Sequence, residues 1–124
     1  MGGHPVDLVV ADVSFISLTL LLDRLADVTR PDGWWLLMVK PQFEVGRSAV
    51  GHDGVVRDAA LQRRAVEDVA TAAAVLGWHA QAVAASRLPG PAGNREFFVH
   101  LTRSPPGTTA PGVDPGRLWS TSLC

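Results

Sequence analysis

Val6 to Asp12 (VDLVVAD) is an apolar, β-branched run without strict alternation, the pattern of a parallel strand covered on both faces. Ser14 then stands as a helix cap. Leu18, Leu21, Leu22, Leu25 and Val28 follow at helical spacing until Pro31-Asp32-Gly33 stops the helix with turn chemistry. Trp34 to Lys40 is a second continuous apolar strand, and Trp34 and Trp35, on opposite faces of it, read as packing residues. Residues 41–57 hold three glycines and no periodicity, which predicts a long loop; loops of this length in compact domains are usually functional. Asp58 caps a helix reaching Leu76, with Ala65, Val69, Ala72, Ala73 and Leu76 on one stripe and Gly77 closing it. Trp78 to Ala85 predicts a third strand, Arg87 to Arg95 a tight connection, and Glu96 to Thr102 a fourth strand.

The order β-α-β-loop-α-β-β predicts an α/β fold with right-handed crossovers, a parallel sheet and helices on its faces. The link between the last two strands is too brief for a crossover, so the final strand runs antiparallel to its predecessor. In an open α/β sheet, ligands bind beyond the carboxyl ends of the parallel strands. Asp12 ends the first strand, Lys40 ends the second, and Glu96 begins the reversed fourth, so topology alone brings all three to one edge.

Each of these residues has an ordinary structural role open to it. Asp12 can cap a turn, Lys40 can extend from the core to water, and Glu96 can pair with Arg95 or Arg87. Together they say more: a lysine at the end of a buried strand, flanked by two carboxylates in a cleft, is a candidate for chemistry. Lys40 is also the only lysine among 124 residues.

A hydrophobic fraction of 47% and a net charge of −1 fit one soluble domain, placed at residues 1–103, followed by a Pro-, Gly-, Ser- and Thr-rich stretch, 104–124, expected to be disordered. No apolar run is long enough to cross a bilayer, and MGGHPVD lacks the basic and apolar regions of a signal peptide, so the expected setting is cytoplasmic with no membrane partner. Cys124 is the only cysteine, which excludes a disulfide framework and a thiolate metal cluster; the four histidines show no ligand spacing, so no metal is expected. Gly46, Gly51 and Gly54 lack the Gly-Lys-Ser/Thr of a phosphate-binding loop. The middle of the chain leans basic, and Arg47, Arg57, Arg63 and Arg64, with Arg95, are compatible with an anionic partner or with an ordinary solvated surface.

Four blocks then carry a resemblance: Asp12-Val13-Ser14-Phe15-Ile16-Ser17-Leu18, Val39-Lys40-Pro41-Gln42-Phe43-Glu44-Val45-Gly46, Gly54-Val55-Val56-Arg57-Asp58, and Gly90-Pro91-Ala92-Gly93-Asn94-Arg95-Glu96. In order and spacing they resemble the TlyA/hemolysin-A family of ribosomal RNA 2′-O-methyltransferases. The resemblance implies an FtsJ-like domain with a Rossmann-type fold, S-adenosylmethionine as methyl donor, and ribosomal RNA or ribosomal subunits as partners. It also implies a Lys-Asp-Lys-Glu tetrad, in which Asp12 matches the aspartate, Lys40 the second lysine and Glu96 the glutamate. Asp12, Ser14 and Phe15 would lie against the methyl donor. Lys40 would hydrogen-bond the ribose hydroxyl and either take its proton or stabilise the developing alkoxide.

Members of that family also carry an S4-like RNA-binding domain, a first tetrad lysine and a glycine-rich cofactor loop. None of these is in the sequence, which is expected to correspond to the C-terminal part of such an enzyme. The strand Val6 to Asp12 then has no earlier strand to pair with and becomes an exposed apolar edge, which predicts self-association. A non-catalytic RNA-binding or assembly module derived from such an enzyme is the alternative. Membrane lysis is not indicated, because no long cationic amphipathic helix is present.

Overall fold

The computed structural model describes residues 5–13, 16–46, 50–51, 53–88 and 93–104. Its elements are β1 (Val6–Ala11), a 3₁₀ turn (Leu18–Leu20), α1 (Leu22–Val28), β2 (Thr29–Val39), α2 (Pro41–Glu44), α3 (Ala59–Val75), β3 (His79–Ala85) and β4 (Phe97–Thr102). They build an α/β domain around one four-stranded mixed sheet, in the order β1-β2-β4-β3. β1 runs parallel to β2, while β4 is antiparallel to both β2 and β3. The reversal expected from the short final link is therefore present. β4 also inserts between β2 and β3 instead of adding outside them, which joins β2 and β4 directly.

One face of the sheet is closed. Trp35, Leu37 and Val39 of β2 alternate inward, as do Phe97, Val99 and Leu101 of β4, and they meet Ala65, Val66, Val69 and Ala73 of α3 in a single core. The stripe read from the sequence of α3 is thus its buried face, with Gln62 and Val66 added. Trp35 stacks on Trp78 with ring centroids 4.2 Å apart, and its indole N–H donates to Thr29 Oγ1 at 2.8 Å. Trp34, on the opposite face, meets His100 edge to face at 4.8 Å; burial there pushes the His100 imidazole below its ordinary pKa.

The other face is open along β1. Val9 and Ala11 pack against the core, while Leu8 and Val10 point away from it, and Val10 is 64% exposed. The strand is parallel, as its composition predicts, but it lies at the sheet edge and not inside it. Among the described residues no strand lies on its far side.

Three local readings differ from the structure. The leucine-rich helix is broken: Ser17, not Ser14, caps the 3₁₀ turn by accepting from Thr19 N at 3.1 Å, and α1 starts only at Leu22. Ser14 lies outside the described residues. Pro31-Asp32-Gly33 does not form a separate turn; the three residues bulge within β2, between the pairs Val6↔Thr29 and Leu8↔Trp34. Gly33 is required there, because a Cβ would stand 2.6 Å from the Asp7 carbonyl oxygen. Finally, the long loop begins with α2, a single turn with Pro41 at its first position, too short to leave a periodicity in the sequence.

Candidate active site

The site lies where β2 ends and β4 begins. The last pair of the β2–β4 ladder is Val39↔Phe97, so the residues one step beyond it, Lys40 and Glu96, are neighbours across the two strands. Val39 and Phe97 point into the core, and strand alternation turns Lys40 and Glu96 to the opposite side. Lys40 keeps extended backbone (φ −112°, ψ 101°) because Pro41 follows it and disfavours the helical region. Asp12 follows Ala11, which faces the core, so it too projects to the open side.

Lys40 Nζ lies 2.6 Å from Asp12 Oδ1; the lysine side chain is 10% exposed and the aspartate side chain 56%. Withdrawing the Lys40 amine from water costs free energy that a single half-exposed carboxylate offsets only in part. Stability therefore gives no reason for a lysine at this position. Glu96 is also buried. Its backbone carbonyl accepts from Ser86 N at 2.7 Å, and one carboxylate oxygen accepts from Gln42 Nε2 at 3.4 Å.

The residues between and around these three hold them in place. Gln42 projects from α2 to Glu96, and its own carbonyl oxygen is buried without a partner among the described residues. Turning the amide over would set two oxygens against each other, so the observed orientation is the only favourable one. Glu44, the last residue of α2, ties it to the preceding segment: Ser17 Oγ donates to Glu44 Oε1 at 2.6 Å and Leu18 N donates to Oε2 at 2.8 Å. Burial raises the Glu44 pKa above its ordinary value, against the lowering effect of these two bonds. On the far side, the buried Asn94 donates to Gly54 O at 2.8 Å and accepts from Val56 N at 2.9 Å, pinning the loop before α3 to the segment that leads into Glu96. Gln62 completes this brace by donating to Val56 O at 2.8 Å.

Gln42, Glu44 and Asn94 were not singled out by sequence reasoning, although they sit inside the quoted K-P-Q-F-E and G-N-R-E runs. Of the residues that were, Asp12, Lys40 and Glu96 converge on one edge. Ser14, Phe15 and Arg47 lie outside the described residues. The remaining arginines do not form one patch. Arg57 bonds Asp53, which holds that carboxyl below its usual range. Arg63 pairs with Glu67 at 3.3 Å and Arg64 with Asp68 at 3.9 Å, both along α3. Arg95 is exposed beside Glu96.

A buried amine bonded to one carboxylate, with a second at the neighbouring strand position, at the carboxyl edge of an α/β sheet, is an arrangement for handling a proton or an oxyanion. The chain belongs to the FtsJ-like methyltransferase family, whose model matches residues 1–103. It is 49% identical over 115 residues to the 16S/23S rRNA (cytidine-2′-O)-methyltransferase TlyA of Mycobacterium tuberculosis, a match that takes in 92% of this chain and 42% of that protein. It is 35% identical over 100 residues to the 23S rRNA (cytidine-2′-O)-methyltransferase TlyA of Campylobacter jejuni, covering 79% of this chain and 38% of that one. A crystal structure described as "a putative hemolysin from Lactococcus lactis" superposes with a TM-score of 0.77 at 38% identity, over 84% of this chain and 49% of the other. The chain thus spans about two fifths of the length of the curated relatives it matches. No helix among the described residues is long and apolar enough to cross a membrane.

Proposed function

We propose that this chain forms the catalytic part of an S-adenosylmethionine-dependent enzyme that methylates the 2′-oxygen of a ribose in ribosomal RNA. The observation that carries the reading is the buried Lys40 amine held 2.6 Å from Asp12, with Glu96 across the adjoining strand. The family membership and the rRNA methyltransferases among its relatives support it.

A ribose hydroxyl is a poor nucleophile and must lose its proton as it attacks. Lys40 hydrogen-bonds that oxygen and either receives the proton or stabilises the charge that develops there. Asp12 fixes the amine in position from one side. Glu96, itself held by Gln42, lines the site from the other. S-adenosylmethionine supplies the electrophilic methyl group on a sulfonium. Asp12 fits that group: its half-exposed carboxylate ends the open face of β1, beyond the apolar Leu8 and Val10, and matches a cation attached to an apolar body. Ser14 and Phe15, which follow Asp12 closely in the sequence, are assigned to the same methyl donor in this reading. The RNA backbone is held by arginines from the set Arg47, Arg57, Arg63, Arg64 and Arg95. The open edge of β1 leads the isolated chain to self-associate.

The test is methyl transfer from S-adenosylmethionine to ribosomal subunits by a chimera in which this chain replaces the matching stretch of the Mycobacterium tuberculosis relative. Transfer should occur and should be lost on Lys40→Ala. A Lys40→Ala chimera that remains active overturns the assignment.

A further inference from the structure

A cleft of about 300 Å³ opens between the first turns of α3 and the β3–β4 edge, lined by Ala59, Gln62, Arg63, Ala85, Arg95 and Phe97 among others. It is not the Lys40 site. Arg95 and Phe97 face α3, while Glu96 between them turns to the opposite side, so the cleft and the candidate active site share one strand start back to back. Both sites open at the sheet edge where Ala85, Phe97 and Val39 pair, and a ligand strand that rounds this edge reaches from one to the other.

We propose that this cleft is a subsite for a phosphodiester of single-stranded RNA next to the ribose presented to Lys40. This rests on the methyltransferase reading for its position but not for its chemistry. Two arginines from distant parts of the chain line the cleft, and among the described residues no carboxylate does. Its floor of Phe97, Val83 and Ala85 is apolar, which strengthens a charge-assisted bond made above it. A guanidinium fork matches the two free oxygens of a phosphodiester. Arg63 already pairs with Glu67 at 3.3 Å, but both side chains are about half exposed, and such helix-surface pairs are worth only about 0.3–0.5 kcal/mol, too little to withhold the arginine from a phosphate. Gln62 is committed to the Val56 carbonyl, which leaves the two arginines as the cleft's ligating groups. Phosphate contacts carry no base information, so the subsite positions the strand without selecting sequence.

The experiment is a fluorescence-anisotropy titration of the chain with a short labelled single-stranded RNA across a salt series. The Arg63→Ala/Arg95→Ala double variant is compared with Arg24→Ala, which changes an exposed arginine on α1 that does not line the cleft. The double variant should bind about tenfold more weakly and lose about 1.4 from the magnitude of the log–log salt slope, two contacts at roughly 0.7 each. Arg24→Ala should change neither. Circular dichroism of both variants should match the parent, because the replaced side chains are exposed. Unchanged binding in the double variant, an equal loss in Arg24→Ala, or no RNA binding by the parent chain each overturns the proposal. If the double variant loses binding while the chimera transfers no methyl group, the subsite stands and the enzymatic reading falls.

Discussion

Gln42 Nε2 donates to Glu96 Oε2 at 3.4 Å, joining residues 54 positions apart at the edge where β2 gives way to α2. The bond is long and its amide carbonyl is buried without a partner among the described residues, an arrangement that costs about 1–3 kcal/mol unless another donor arrives. Gln42→Glu places a second carboxylate against Glu96, and two carboxylates that close cannot both ionise readily. In the chimera, the pH–rate profile of Gln42→Glu should move to higher pH, whereas Gln42→Met should lower the rate without moving the profile. Identical profiles for the two variants would remove Gln42 from any role in orienting Glu96.

Lys40→Ala and Lys40→Arg separate charge from geometry. Alanine should lower methyl transfer by about 10²–10⁴-fold, the usual effect of removing a proton-transfer group. Arginine keeps the charge but is a rigid, always protonated fork, and should restore little of the loss. Single-turnover rates with saturating methyl donor measure this. A rate for Lys40→Arg close to the parent's would argue that a positive charge alone suffices.

Glu44 couples pH to stability with an unusual sign for a carboxylate. Its pKa is raised in the folded state, so the folded state binds the proton more tightly than the unfolded one. That contribution is complete below the unfolded value of 4.5 and is lost as pH rises through the higher folded value. Glu44→Gln keeps an acceptor for Leu18 N and a partner for Ser17 Oγ without the buried charge, and should equal or exceed the parent's stability at neutral pH. Glu44→Ala strands the Leu18 N–H and should cost about 1–3 kcal/mol. Urea unfolding at pH 5 and pH 7.5 distinguishes them: the gap between Glu44→Gln and the parent should widen at the higher pH.

Asn94 satisfies two backbone groups of the Gly54–Val56 loop from a buried position. Asn94→Ala leaves both unpaired and should destabilise by about 2–4 kcal/mol. Asn94→Asp keeps the acceptor for Val56 N but turns a carboxylate toward the Gly54 carbonyl, and should also destabilise. Thermal unfolding reads both, and a melting temperature unchanged in both variants would mean that the brace is not a determinant of the fold.

The apolar outer face of β1 predicts concentration-dependent association of the isolated chain, because Val10, Leu8 and a strand edge that pairs with no other strand among the described residues lie open together. Val10→Lys, an edge charge, should shift sedimentation equilibrium toward monomer. A parent chain that sediments as a single monomer at all concentrations would count against this.

Legibility in the sequence followed the range of the interaction. The strand and helix order, the buried stripe of α3, its Asp58 cap and the reversal of the last strand could all be read from the residues, because each depends on a local period, a capping side chain or the length of a link. The shared edge of Asp12, Lys40 and Glu96 followed from strand direction. The sheet order did not: β4 lies between β2 and β3 because Val99 and Leu101 find their core there, and that choice makes Glu96 the direct neighbour of Lys40. The same holds for Gln42, Glu44 and Asn94, whose letters stood in view but whose partners lie 26 to 54 residues away. A one-turn helix and a strand bulge leave no period to detect. Periodicity and chain direction are written locally, whereas a hydrogen-bond partner is chosen only when distant segments pack. The chemistry of this edge was thus fixed by residue type, and its geometry by the tertiary fold.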